Sequence, residues 1–313
     1  MDTRKLEYFV EVVRAGSFTR AAERLHVAQP AISKSIQKLE DELQLILFDR
    51  SEKSVTLTPE GKVLLGHAQS ILGSIEEARK EMEELRGLER GEIRIGLPSM
   101  YGSFYFPQII KEFKKKYPSL LISVVEEGTL QVRKLIERKE VDLGIIDFDH
   151  AGPEIEVIPL LTEEMVACFP IGHPLAGRKS IPLQEMIHEP LILFKEGYFQ
   201  RNLIMETSQT ANIVPNITFS TNQLSLIRSL VAEGIGVTLF LRVVADSDPQ
   251  LRSVSLNPPV FLHLGVGRSR NTYLSKASQI FLEFLKDRIS HGFSTSASAT
   301  LTTKSIPYGY PDA

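Results

Sequence analysis

The chain has no tryptophan and a single cysteine, Cys168, in 313 residues. One thiol excludes an internal disulfide framework and any zinc site built from several thiolates, and a lone cysteine inside the apolar run Met165 to Phe169 reads as core. No apolar run approaches the ~18 residues needed to span a bilayer. The opening residues MDTRKLEYF lack the charged-then-apolar pattern of a secretory leader, so a cytoplasmic chain without membrane contact is expected. Catalytic patterns are missing as well. The seven histidines, at 26, 67, 150, 173, 188, 263 and 291, never place two on one helical face with an acid, which speaks against a metal centre. There is no G-x-S-x-G elbow and no phosphate loop ending in Gly-Lys-Ser or Gly-Lys-Thr, and Gly234-Ile235-Gly236 lacks the third glycine of a dinucleotide fingerprint. No cofactor and no enzyme activity are expected. The net charge of -3 argues against indiscriminate binding to nucleic acid, but a local basic face suffices for specific binding, so the positions of the charges decide.

What is present falls into three stretches. With 42% hydrophobic and 24% charged residues the chain can bury more than one core. A helical segment runs from Asp2 to about Leu57, a long helical repeat from Pro59 to about Leu88, and an alternation of strands and helices from Glu92 to about Ile289. In the first stretch Leu6, Phe9, Val10 and Val13 repeat at helical spacing and Gly16 stops the helix. Ser17 or Thr19 can cap a second, short helix, Thr19 to Leu25, whose Ala21 and Ala22 let a neighbour approach closely. His26-Val27-Ala28 makes the break, and Pro30 sits just inside a third helix, where its missing N–H costs nothing. Two helices joined by so tight a turn form a helix-turn-helix.

At about 100° per residue, Ile32, Ile36, Leu39 and Leu43 share a narrow stripe of the third helix, while Ser33, Lys34, Gln37 and Lys38 fall on the other side. Hydroxyl, amide and ammonium groups on one exposed face suit base edges and phosphates in a major groove. The acids Glu40, Asp41 and Glu42 lie at the far end. Such segregation lets nine basic and ten acidic residues among the first sixty leave a positive reading surface. Phe48-Asp49-Arg50, a polar turn and Val55-Thr56-Leu57 read as a two-stranded wing with Arg50 and Lys53 placed for phosphate. Beyond it, Leu64, Ala68, Ile71, Ile75, Ala78, Met82 and Leu85 alternate in steps of four and three, a heptad seam that would join two heads and favour a roughly two-fold symmetric operator. The competing reading is a helix packed only on its own domain.

The third stretch begins with the strand Ile93 to Leu97 and a helix running through Tyr117, and continues with strands Leu120 to Val125 and Leu143 to Ile146 around a helix from Leu130 to Lys139. A second set follows: strands at Met165 to Phe169, Leu191 to Phe194, Ile217 to Ser220 and Val237 to Phe240, with helices from Phe199 to Ser208 and from Gln223 to Ala232. The strand Phe261 to Val266 and a last helix, Tyr273 to Ile289, are expected to return to the first set. Two α/β lobes with crossings between them make a cleft at their strand ends. Ser99 and Gly102 after one strand, and Thr221 and Asn222 before a helix, put hydroxyls, an amide and backbone N–H groups where a carboxylate could sit. Thr129 and Phe148 could complete the pocket, and Glu126 and Glu127 would oppose a strongly anionic ligand. The alternative is that Ser99, Thr221 and Asn222 are only helix caps.

The run Phe18-Thr19-Arg20-Ala21-Ala22-Glu23-Arg24-Leu25, then Val27-Ala28-Gln29-Pro30-Ala31-Ile32-Ser33, Leu39-Glu40, Leu47-Phe48-Asp49-Arg50 and Leu57-Thr58-Pro59-Glu60-Gly61, closely resembles the LysR-type transcriptional regulators. The resemblance extends through Arg94-Ile95-Gly96, Asp142-Leu143-Gly144-Ile145, His173-Pro174-Leu175 and Val231 to Val237, hence to about residue 290. It implies an all-α winged helix-turn-helix over residues 1–58, a linker and dimerisation helix over 59–90, and over 91–290 a bilobed α/β effector domain resembling type 2 periplasmic-binding proteins. It also implies a homodimer or dimer of dimers on double-stranded promoter DNA, answering to a small-molecule effector. On the matching motif, Gln29, Pro30, Ser33 and Lys34 would meet bases or adjacent phosphates, with Lys38 and Arg50 on the backbone; Ser99, Met100, Thr129, Phe148, Asn222 and Gln223 would line the effector cleft. The tail HGFSTSASATLTTKSIPYGYPDA fits nothing in the family pattern, and its Ser- and Thr-rich composition reads as disorder or a vector-derived remnant. A solute-binding protein would account for Glu92 to Ile289 alone and leave the first 88 residues unexplained.

Overall fold

The computed structural model describes residues 1–49, 55–85, 91–270 and 272–290. The wing residues Arg50 and Lys53, the expected end of the long helix near Leu88, and the tail 291–313 lie outside the described residues. At the N-terminus, α1 (Thr3–Ala15) starts at Asp2, whose side chain accepts from the Lys5 N–H, and ends at Gly16 in the left-handed region, φ 61°. There a side chain would be strained, so glycine closes the helix. The next helix, α2 (Phe18–Arg24), is capped by Ser17, one of the two caps expected. The turn through His26 (φ 53°) leads into α3 (Gln29–Leu43), with Pro30 in its first turn. Ile32, Ile36 and Leu39 of α3 are buried against Phe9, Val12, Ala21 and Ala22, and Phe48 closes this core by ring contacts with Phe9 and Phe18. The wing strands β1 (Phe48–Asp49) and β2 (Thr56–Leu57) pair antiparallel.

The long helix α4 (Pro59–Leu85) divides the heptad seam into two parts. Ala68 is fully buried and Leu64 packs on the core of its own head, so the first two seam positions are consumed within the chain. Ile71, Ile75 and Met82 are 39%, 48% and 51% exposed, and Ala78 is exposed too. The rest of the seam is therefore open along one face, except that the Leu85 side chain lies outside the described set.

The remaining elements form two lobes around a shared pair of strands. Lobe 1 begins with β3 (Glu92–Leu97), α5 (Ser99–Phe104), α6 (Phe106–Lys116), β4 (Leu121–Glu126), α7 (Thr129–Glu137) and β5 (Leu143–Asp147). The sequence pattern suggests one helix through Tyr117; the chain breaks at Tyr105 instead, and Pro107 starts the second helix, where its lack of an N–H is harmless. After a short 3-10 turn at Phe148–His150, β6 (Ile155–Pro170) carries the chain into lobe 2. Lobe 2 holds β7 (Ser180–Ile181), α8 (Leu183–Ile187), β8 (Leu191–Leu193), α9 (Phe199–Ala211), β9 (Ile217–Ser220), α10 (Leu224–Ala232), β10 (Thr238–Leu241) and α11 (Arg242–Asp246). Then β11 (Leu251–Ser269) returns, and α12 (Lys276–Ser290) packs on lobe 1, its Phe281 ring 4.8 Å from that of Phe113.

Both β6 and β11 are far longer than the apolar centres read from the sequence. They pair antiparallel from Leu251 opposite Pro170 to Ser269 opposite Ile155, with register shifts between Ser255 and Val260 and between Leu264 and Gly265. On the lobe 1 side β5, β3 and β4 continue the sheet, with β3 parallel to both neighbours; on the lobe 2 side β10 joins β6, and β8 and β9 follow through a bridge from Leu191 to Val237. Two continuous strands between two αβ halves make a natural hinge.

The two-lobed domain also touches the head and long helix of the same chain. The turn after α7 brings Lys139 Nζ to Ser74 Oγ at 3.1 Å and Glu140 to Arg14 at 3.6 Å. A Cβ at Gly73 would stand 2.8 Å from the Lys139 Cβ. A glycine inside a helix costs up to about 1 kcal/mol, and here it permits a backbone approach no other residue would allow.

Candidate functional site

The outward face of α3 is the first site. Pro30, Lys34, Gln37 and Lys38 are exposed, and Gln29 and Ser33 are partly so. The Gln29 side-chain amide donates to Ser33 Oγ at 2.7 Å, which fixes the amide across the first turn and leaves its carbonyl oxygen to accept from outside. All six α3 residues named from the sequence thus share one surface, whereas Arg50 and Lys53 are not described. Two of the three acids at the far end of α3 are engaged inside the head, while Asp41 stays exposed there. Glu40 accepts from the backbone N–H groups of Leu47 and Phe48 at 2.9 and 3.3 Å, tying the end of α3 to the wing. Glu42 binds Lys5 at 2.5 Å and the N-terminal ammonium at 2.6 Å; these hydrogen bonds hold its carboxyl down to about 2. A surface of amides, hydroxyls and ammonium groups is left to face a groove.

The second site is the cleft between the lobes, which is closed. Ser99 at the start of α5 meets Tyr198 of lobe 2, their hydroxyl oxygens 3.0 Å apart. Met100 Sδ accepts from the Leu241 N–H at the end of β10. A Cβ at Gly128 would fall 2.0 Å from the Gly197 carbonyl oxygen, so only a glycine allows the two loops to touch. At this junction lies a cavity with about 20 Å³ of free space, room for about one water.

Ser99, Met100 and Thr129 line that cavity, with Tyr198, Phe199 and Gln200 facing them from lobe 2. The other three residues expected there are elsewhere. Phe148 stacks on His263 with ring centroids 5.4 Å apart. Asn222 accepts from the Lys195 N–H at 2.9 Å and lines a separate, open polar depression with Arg201 and Ser220, and Gln223 is exposed. The signal that could have found Tyr198 is its setting, a strand end followed by a glycine with φ 89° and a helix start, which places its side chain at the same level of the cleft as Ser99.

Other groups the sequence raised do not form sites. Cys168 is buried in β6, and burial pushes its thiol up to about 12, so it stays a neutral core group. Among the described residues no His, Cys, Asp and Glu cluster has metal-binding geometry. No helix among them is long and apolar enough to cross a membrane.

A winged helix-turn-helix head on a long helix, followed by a two-lobed α/β domain with a closed cleft, defines a DNA-binding regulator with a sensor domain. Residues 3–62 match the bacterial regulatory helix-turn-helix protein of the lysR family, and residues 86–290 match the LysR substrate binding domain. The chain belongs to the LysR family of transcriptional regulators. It is 32% identical over 312 residues to the uncharacterized HTH-type transcriptional regulator YcgK of Bacillus subtilis, covering 94% of this chain and 96% of that one. Among solved structures it is similar to a full-length OxyR variant of Pseudomonas aeruginosa, with 26% identity, a TM-score of 0.59 and coverage of 92% and 94%. Full-length CbnR complexed with its target DNA shares the fold, at 20% identity, a TM-score of 0.58 and coverage of 93% and 99%.

Proposed function

We propose that the protein reads a specific operator through the exposed face of α3, as a dimer joined along α4, in the cytoplasm, and that a small molecule bound between the two lobes modulates this binding. The observation that carries the reading is the segregation within the head: Lys34, Gln37 and Lys38 are open on α3 while Glu40 and Glu42 are held by the protein itself. The CbnR fold seen on its target DNA supports the same use of the head. An operator with approximate two-fold symmetry follows from two heads on one rod. A single cysteine in the chain rules out a dithiol switch within one subunit. Eleven residues line the cavity and none is cationic, while Glu126 and Glu127 act on Tyr198 electrostatically, which disfavours the carboxylate effector expected from the strand-end hydroxyls.

Fluorescence anisotropy on operator DNA over a range of salt tests the reading helix. Ser33→Ala is expected to cost about 1–3 kcal/mol of operator affinity, and Lys34→Ala to weaken binding and reduce the salt slope by about one, both with an unchanged melting temperature. Unchanged affinity in both variants would remove α3 from the interface.

A further inference from the structure

The cleft contains a side chain that behaves as its own occupant. Tyr198 begins the chain's approach to α9 on lobe 2, is 3% exposed, stacks on Phe194 with ring centroids 4.9 Å apart, and bonds to Ser99 on lobe 1. It forms a side-chain hydrogen bond between the lobes at the cavity, and its ring leaves only about 20 Å³ beside it. Gln200, 2% exposed and also lining the cavity, has a side-chain Nε2 with no hydrogen-bond partner, so the site holds a donor that its own phenol does not satisfy.

We propose that Tyr198 is a resident surrogate for the effector, and that the effector which displaces it is a small uncharged molecule with an apolar body of about ring size and one hydroxyl or carbonyl group. The proposal rests on the cleft being the effector site. The chemistry follows from what surrounds the phenol. Its neighbours Leu241, Leu262, Leu264 and Met100 offer apolar contact, while Ser99 and Gln200 offer hydrogen bonds without charge. An anion placed there would be desolvated with no cation among the described residues that line the cavity, and the negative charges of Glu126 and Glu127, which are felt at Tyr198, would repel it. The same surroundings already favour uncharged forms: desolvation first, then Glu126, pushes the Glu127 carboxyl above its usual range, and desolvation does the same to the Tyr198 phenol.

Displacement has a route out of the cleft. Without the Ser99 bond, lobe 2 is held at this junction by Met100–Leu241 and the Gly128–Gly197 approach. The helix α7 starts at Thr129 on the cavity wall, and the turn that follows it rests on Ser74 of α4 and Arg14 of α1. A shift of α7 at the cleft therefore bears on the DNA-binding head.

Side-chain replacement tests the surrogate directly. In full-length Tyr198→Ala, p-cresol is the excised side chain with a methyl at the cut; 4-hydroxybenzoate carries a carboxylate at that position. Calorimetry is expected to show p-cresol binding to the variant at least ten times more tightly than to the unaltered protein, and to raise the melting temperature of the variant, with 4-hydroxybenzoate doing neither. Equal p-cresol binding by both proteins, no binding to the variant, or equal binding of 4-hydroxybenzoate would overturn the proposal. If Tyr198→Ala does not fold, Tyr198→Phe keeps the ring and removes the bond: amide exchange over 98–101 should accelerate several-fold while β5 is unchanged, and unaltered exchange at 98–101 refutes the surrogate. Should p-cresol bind the alanine variant while no uncharged compound changes DNA binding, the phenol still fills the cavity, but the cleft's role as effector site fails and the surrogate fails with it.

Discussion

Replacing Ile71 and Ile75 with glutamate is expected to give a folded monomer whose operator affinity is lower by at least about two orders of magnitude. Both side chains are substantially exposed in the single chain, further along the α4 stripe than Leu64 and Ala68, which the head covers. Neither belongs to the core of the head or packs against it, so the substitution should spare the melting of the head. In the proposed dimer joined along α4 both positions would lie in the seam, and four carboxylates brought into one apolar seam could not be paired or solvated there. Loss of the proposed dimer would turn a two-headed contact with DNA into two independent weak ones. Sedimentation velocity on the variant reports the first effect and anisotropy on operator DNA the second. A variant that remains dimeric would place the dimer contact elsewhere in the chain.

Gly128→Val is expected to force the lobes apart. The added Cβ would stand 2.0 Å from the Gly197 carbonyl oxygen and 2.8 Å from the Tyr198 Cα, backbone atoms that cannot turn aside as a flexible side chain does. Overpacking of this kind costs about 1–3 kcal/mol, and in a domain of this size each kcal/mol lowers the melting temperature by about 2–4 °C. Because β6 and β11 form the hinge, the strain should be relieved by opening rather than by unfolding. Amide exchange is then expected to rise at 98–101 and 197–200 and to stay slow in β6 and β11. Gly177→Val provides the comparison, since nothing lies within 4 Å of a Cβ there, and should be silent. Exchange that rises uniformly through both lobes would mean that the closed cleft is not a separable state.

The head was legible almost residue by residue because its signals are local. Helical period, Ser17, Gly16 and Pro30 each specify one boundary, and the α3 stripe follows from the 3.6-residue repeat alone. The seam was legible only in part. A heptad pattern states that a face is apolar but not what covers it, and Leu64 and Ala68 are covered by their own head. In the effector domain the strand centres were visible, whereas the full spans of β6 and β11 were not, since Glu156, Glu163 and Glu164 in one and the Asn257-Pro258-Pro259 break in the other interrupt the apolar pattern. Their pairing partners, which supply the continuity, are about a hundred residues away. For the cleft, sequence order placed Ser99, Met100 and Thr129 at strand ends. It could not say that Phe148 turns to His263, that Asn222 turns to Lys195, or that Tyr198 fills the space between.

A nuclease footprint of the purified protein on the DNA upstream of its own gene, taken across a range of salt, shows whether the α3 face reads an operator. The expected result is an interrupted, roughly palindromic protected region that weakens steeply as salt rises and that, with Lys34→Ala, needs more protein and fades at lower salt. Absence of protection at low salt, or protection unaffected by Lys34→Ala, would contradict it.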